Sequence, residues 1–244
     1  MSKENVVYWA PAFNDSNVDW NMLYSNPVSL YDYLRPKLDS STNKQNNYFY
    51  CPAFKDFTKN TFVLENPIET HFVYRDDKTV LAKSKNYIST DIIHSPSLTN
   101  NLVVTYGLQW IFFSEEDIDI SVTSPYFTPS NYSKYAALVP GKYKINTWFR
   151  TVNIELNLWE NNKELHILKD EPLAYINFHT NDDKPVRLQR FDMTPKLHTY
   201  ASSCGRANLW ESWIPLVDRY KRFKQTQTNE LVLKEIKNNL ITNV

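Results

Sequence analysis

Five histidines, one acidic run and one tryptophan–arginine pair are the parts of this 244-residue chain that chemistry could use. A facial triad for iron needs His-x-Asp or His-x-Glu with a distal histidine. The residues two positions after the histidines are Val73, Pro96, Leu168, Asn181 and Tyr200, and none is a carboxylate. His71 and His179 fall on expected strands and are placed to meet in space, where a hydrogen-bonded structural role outweighs metal ligation. Glu115, Glu116, Asp117 and Asp119 could bind a hard cation or work as an acid–base pair. Alternation puts Asp117 and Asp119 on one solvent face, and neither has a glycine or a loop to fold ligands around an ion. Their expected role is a solvated strand face that discourages pairing at a sheet edge. No Gly-x-Ser-x-Gly is present, and Cys204-Gly205 has no motif around it, so no activated nucleophile is expected. Only Gly107, Gly141 and Gly205 are glycine, which leaves no GxGxxG and no Walker A loop to cradle phosphate. The sequence therefore assigns no catalytic residue, no metal ligand and no cofactor.

What remains is a candidate ligand site. Trp148 and Arg150 share one face of an expected strand, and Tyr175, Asn177 and His179 share one face of another. An arginine beside a tryptophan stacks on it as a packing pair, or clamps an anionic or planar ligand. Packing is the expected use, and these five residues are where a pocket would form.

The elements that must position them are mainly strands. Three consecutive strands are expected at 143–150, 152–158 and 172–178, and the rest of the chain covers, extends or closes their sheet. The stretch 102–113 is apolar at both odd and even positions, which predicts a central strand buried on both faces. Residues 115–123 alternate, with Ile118, Ile120 and Val122 inward. A hairpin is expected from 70–75 and 79–82, a strand from 186–191, and further strands at 6–9, 48–54 and 61–64. Residues 18–24 are read as extended, and 29–34 as a short helix stopped before Pro36. Scarce glycine leaves Asn46-Asn47, Asn100-Asn101, Asn161-Asn162 and Asn181-Asp182-Asp183 to take the turns, while Gly141 after Pro140 reads as a turn glycine able to adopt positive φ. From Ala201 the pattern becomes helical. Ser212 is the expected cap of a helix with Leu216, Val217, Tyr220 and Phe223 inward and Arg219 toward water, followed by a helix over 230–241. Two units follow: a β-rich core at 1–199 and a helical extension at 200–244 packed on it. The fold class expected is mainly β, an antiparallel sandwich or a distorted, β-clip-like barrel, with C-terminal helices.

Composition narrows the partners. Lysine plus arginine equals aspartate plus glutamate, 27 of each, which removes the basic excess of a general nucleic-acid binder and permits subunit association. Aromatic residues make up 15% of the chain, suiting half-buried strand positions and recognition surfaces. Cys51 and Cys204 belong to no Cys-x-x-Cys, consistent with reduced thiols. Residues 1–8 lack the apolar run of a signal peptide, and no stretch is apolar and long enough to span a bilayer. A cytoplasmic protein is expected.

The order Ser124-Pro-Tyr, Pro140-Gly-Lys-Tyr-Lys-Ile-Asn-Thr-Trp-Phe-Arg150 and Glu171-Pro-Leu-Ala-Tyr-Ile-Asn-Phe178, with Cys51-Pro-Ala-Phe54 and Lys59-Asn-Thr-Phe-Val63, resembles a group of uncharacterised proteins of tailed bacteriophages, including phages of marine bacteria and cyanobacteria. The resemblance covers about 48–191. It implies a phage-encoded protein located in the host cytoplasm or the virion, with no activity to carry over. The Pro-Gly turn and the Glu-Pro-Leu strand also resemble the β-clip barrels of trimeric deoxyuridine triphosphatases, whose glycine-rich phosphate loops have no counterpart here. The function expected is a non-enzymatic virion component or accessory factor that engages a protein partner, itself included. The alternative is a small-ligand binder or enzyme with a pocket around Trp148, Arg150 and His179.

Overall fold

The computed structural model describes residues 4–12, 20–39, 50–74, 80–82, 91–93, 102–159, 164–182, 184–210 and 214–241. Among them, strands form three sheets. The largest runs in the order β14 (Val186–Arg190), β1 (Asn5–Pro11), β7 (Leu102–Phe113), β11 (Thr151–Leu158) and β9 (Ala136–Leu138), with β6 (Asp91–Ile93) also paired to β7. The second runs β10 (Gly141–Lys144), β8 (Ile118–Thr123), β13 (Pro172–Thr180), β3 (Thr61–Glu65) and β2 (Val28–Ser29). A small third sheet joins β12 (Glu164–Ile167), β4 (Thr70–Tyr74) and β5 (Val80–Ala82). Pairing is antiparallel except between β1 and β14. The fold is mainly β and sandwich-like, and the sheets do not close into a barrel.

Alternation along each strand decides the layering. Trp9, Val104, Tyr106, Trp110 and Phe112 of the large sheet and Ile118, Ile120, Val122, Ala174, Ile176 and Phe178 of the second sheet share one core. Phe112 meets Phe178 edge-on across the two sheets, with ring centroids 5.7 Å apart. Burying each such side chain contributes about 1.5–3 kcal/mol. β7 is apolar on its other face too, and that face makes a second core. Tyr8, Ala10, Ile111 and Phe113 pack there against Leu197, Phe223, Val232 and Ile236. Those four belong to the C-terminal helices α4 (Pro195–Trp210), α5 (Leu216–Gln225) and α6 (Thr228–Asn238). On the far side of the molecule α2 (Leu30–Asp39) and α3 (Pro52–Thr58) seal a smaller cluster of Leu30, Leu34, Phe54, Val63 and Tyr175. α1 (Trp20–Leu23) lies before them in the chain.

The third sheet is tied to the sandwich by a buried polar knot. The Tyr106 hydroxyl donates to Asn66 Oδ1 at 2.9 Å and also bonds the Thr70 hydroxyl. Asn66 Nδ2 donates to the carbonyls of Ile68, Ile167 and Leu168. These bonds satisfy side chains that would otherwise be stranded in a dry core.

Several local expectations are corrected by the structure. The expected strand 143–150 breaks after Lys144, because Ile145 turns into the sandwich core while Phe149 enters the second core. A chain that moves from one sheet to the other cannot stay a single strand. Of the expected strand 48–54, residues 48–49 lie outside the described residues, and helix α3 begins at Pro52, where proline's missing N–H costs nothing. α1 replaces extended chain in 18–24. α2 runs through Pro36, and the Ser29 hydroxyl accepts from the Asp32 N–H as its cap. Gly141 has no positive φ. It is a strand residue covered by the Tyr143 ring, which a Cβ would meet at 2.7–2.9 Å. Among the described residues the left-handed positions are Asn60, Asp170 and Gln227. Asparagine and aspartate take two of these, and Asn181-Asp182 form a turn after β13 as expected, without positive φ. Residues 46–47, 100–101, 161–162 and 183 lie outside the described residues. The C-terminal helices begin at Pro195, Arg219 is buried, and Val217 is exposed. Ser212 lies outside the described residues, and Pro215 precedes α5. Cys51 is an exposed free thiol.

Candidate functional site

The outer face of the five-stranded sheet positions the polar half of the expected site. In β13 the alternation that sends Ala174, Ile176 and Phe178 inward sends Tyr175, Asn177 and His179 outward. Their neighbours follow from register. Lys142, Ser121, Asn177 and Thr61 form one row across β10, β8, β13 and β3, and Lys144, Asp119 and His179 form the next. His179 Nε2 and the Ser121 hydroxyl are 2.9 Å apart, and Asn177 Nδ2 donates to the Thr61 hydroxyl at 2.6 Å. Lys142 pairs with Asp119 at 3.2 Å and Lys144 with Asp117 at 2.7 Å. Asp117 and Asp119 are therefore a solvated face paired with lysines of the edge strand β10, Glu115 pairs with Lys237 of α6, and β8 lies inside the sheet rather than at its edge.

Partial burial holds the His179 pKa below the ordinary imidazole value. The Lys142 charge pushes the same way and the Asp119 charge opposes. The Lys144 contact depresses the Asp117 carboxyl, and Lys144 is raised in return, first by its bond to Asp117. A neutral imidazole beside a hydroxyl is the first half of a nucleophile triad, but the second half requires a carboxylate on the far ring nitrogen. Asp119 is held on Lys142 instead. The pair is a surface hydrogen bond on an open sheet face.

The five candidate residues are not brought together. Trp148 is buried against Tyr220 of α5, with centroids 4.2 Å apart, on the helical side of the molecule. Arg150 lies just ahead of β11, where its charge reaches Tyr143. Among the described residues neither makes a hydrogen bond or ring contact with Tyr175, Asn177 or His179. The arginine-over-tryptophan stack exists elsewhere. Arg190 lies over Trp9 at 4.9 Å, donates to the Tyr24 carbonyl at 3.1 Å and is nearly buried, so it serves packing. His71 likewise meets a different partner. It stacks on His166 across β4 and β12 with centroids 5.1 Å apart, while Glu164 bonds His71 and Glu69 bonds His166. Among the described residues no group of three or more His, Cys, Asp or Glu is arranged to hold a metal ion. No helix of the described residues is long and apolar enough to cross a membrane.

At the Tyr175 end of this face the sequence reading missed a surface feature. Phe57 of α3 and the adjacent Tyr126 and Phe127 are exposed by 45%, 49% and 36%. Their ring centroids lie 5.0–6.3 Å apart. Tyr126 rests edge-on against Tyr175, and Phe127 against the buried Phe54. Desolvation, then the neighbouring Tyr175, pushes the Tyr126 pKa up to about 12, and Tyr126 keeps a hydrogen bond to Thr123. The signal was present as Tyr126-Phe127 between Pro125 and Pro129. Two neighbouring aromatics in a proline-bounded loop do not alternate into a core as strand residues do.

This surface offers hydrophobic contact area from three rings, with the half-buried polar side chains of Asn177 and Ser121 on the adjoining strands. The chain matches no protein-family model, no curated protein and no solved structure.

Proposed function

We propose that the protein acts by binding: a non-enzymatic, phage-encoded component, in the virion or as an accessory factor, that engages a protein partner. The observation that carries this reading is the cluster of Phe57, Tyr126 and Phe127, held in the open where most of the large rings among the described residues are buried. Aromatic anchors of this kind dominate protein interfaces. The resemblance over 48–191 supplies the phage origin, and equal numbers of acidic and basic residues leave no charge barrier to association. The separation of Trp148 and Arg150 from the β13 trio removes the arrangement on which the pocket alternative was built.

The test is mass spectrometry of purified particles of the encoding phage, together with light scattering and crosslinking of the protein in infected cells. Recovery in particles or in a defined protein complex is expected, and a variant with serine at 57, 126 and 127 should be lost from it. A strict monomer that enters neither particle nor complex refutes the proposal.

A further inference from the structure

The size and ring geometry of the aromatic cluster define the kind of partner it fits, given that the protein is a binding component. At about 200 Å² per aromatic side chain, the exposed parts of Phe57, Tyr126 and Phe127 present roughly 250 Å². Each partner of a stable globular complex buries about 800 Å². The cluster is too small to be the seam of a dimer, and its scale is that of a few residues of a linear segment.

Three recurring modes of peptide capture can be compared with it. Addition of a strand needs a free sheet edge, whereas this cluster is built from a short helix and a loop over a sheet face. Capture of an amphipathic helix needs a long groove between elements, and α3 has only seven residues. Docking of a polyproline II segment needs neutral aromatic faces set at an angle, so that a pyrrolidine ring rests in the notch they open. The three ring planes are inclined to one another by 59–68°. Tyr126 and Phe127 are further braced from beneath by Tyr175 and Phe54 at 83° and 77°, which fixes them in that splay. The same tilt disfavours a saccharide, which stacks on one flat ring face rather than between inclined ones. We infer that Phe57, Tyr126 and Phe127 form a docking site for a short, extended, proline-rich segment of a protein partner. Such a segment is already stiff and loses little freedom on binding, which suits a small contact.

The experiment titrates the full chain, with carbon-13 in its aromatic rings, with synthetic decaproline, a (Gly-Ser)5 peptide and maltopentaose, following ring resonances by NMR. Decaproline should shift Phe57, Tyr126 and Phe127 saturably, with a Kd below about 1 mM, and (Gly-Ser)5 should not. Phe57→Ser and Tyr126→Ser should each weaken decaproline binding at least tenfold, with unchanged melting curves confirming the fold. The wild-type shifts test the site even where a variant unfolds. Shifts confined to other rings, no shift at 5 mM decaproline, or saturation by maltopentaose alone would each overturn the inference. If decaproline fails while the 57/126/127 serine variant still loses its particle or complex, the peptide assignment falls and the binding role stands. If that variant keeps its associations as well, both fall.

Discussion

The outer faces of the two large sheets are built by the same alternation and end in opposite environments. On the six-stranded sheet the outward residues Tyr8, Ala10, Ile111 and Phe113 are apolar, and α4, α5 and α6 close over them. On the five-stranded sheet the outward residues of β8 and β13 are Asp119, Ser121, Asn177 and His179, and cover stops at Val63 and Tyr175. The side chains choose the cover, since a helix laid over Asp119 and His179 would bury charge that the lysines of β10 neutralise only at the surface. The difference separates a face committed to stability from one left open: one is a third layer of core, and the other stays exposed to solvent.

The sharpest way to break this contrast is to damage the dry face. Phe149 is fully buried between Phe113 and Phe191. Phe149→Ala should cost about 3–5 kcal/mol in urea unfolding, and a loss below about 1 kcal/mol would show that the helices are not part of the core. Next comes the knot between the sandwich and the third sheet. Tyr106→Phe leaves Asn66 Oδ1 short of its donor and should cost about 1–3 kcal/mol, with hydrogen exchange accelerated in β4 and β12 before the rest. On the open face the expectation reverses. Phe57→Ser should change stability by less than about 1 kcal/mol while abolishing partner association, so a large destabilisation would make Phe57 core rather than contact. Lys144→Ala, which removes an exposed cross-strand pair, should stay within about 0.5 kcal/mol.

The smallest effect compares two histidines. His179 is held below the ordinary imidazole value by burial and then by Lys142, and His198 of α4 by burial alone. A folded value below the unfolded value of about 6.5 means the fold prefers the neutral ring. Each contribution is therefore complete above pH 6.5 and lost as pH falls through the folded value. In an NMR titration both midpoints should lie below 6.5. Lys142→Gln should raise the His179 midpoint and leave His198 unmoved, and equal movement of both would refute the assignment of cause.

Periodicity made much of the framework readable. β7 at Leu102–Phe113 was visible because mostly apolar residues at both odd and even positions point to a doubly buried strand, and β8 because Ile118, Ile120 and Val122 alternate with polar neighbours. The hairpin of β4 and β5 was readable from its polar turn. What escaped was wherever the chain changes layer. Residues 143–150 have strand composition throughout, yet Ile145 and Phe149 belong to different cores. α3 was hidden because Phe54 and Phe57 suit a strand as well as a helix, and the decisive residue was Pro52. The candidate ligand residues are dispersed for a related reason. Trp148 and Arg150 share a face only if their strand persists, and Arg190, in a different strand, takes the stacking role that the sequence suggested for Arg150.

The parallel partnership of β1 with β14 has a consequence for biosynthesis. Asn5 through Trp9 are translated about 180 residues ahead of one of their neighbours, Val186 through Arg190, and Leu240 bridges to Phe191 later still. At about 5–20 residues per second, β1 waits roughly ten seconds or longer for that neighbour. During that interval Val7 and Trp9 are apolar chain without a finished sheet, so the nascent protein should depend on holding chaperones more heavily than a domain assembled from local hairpins.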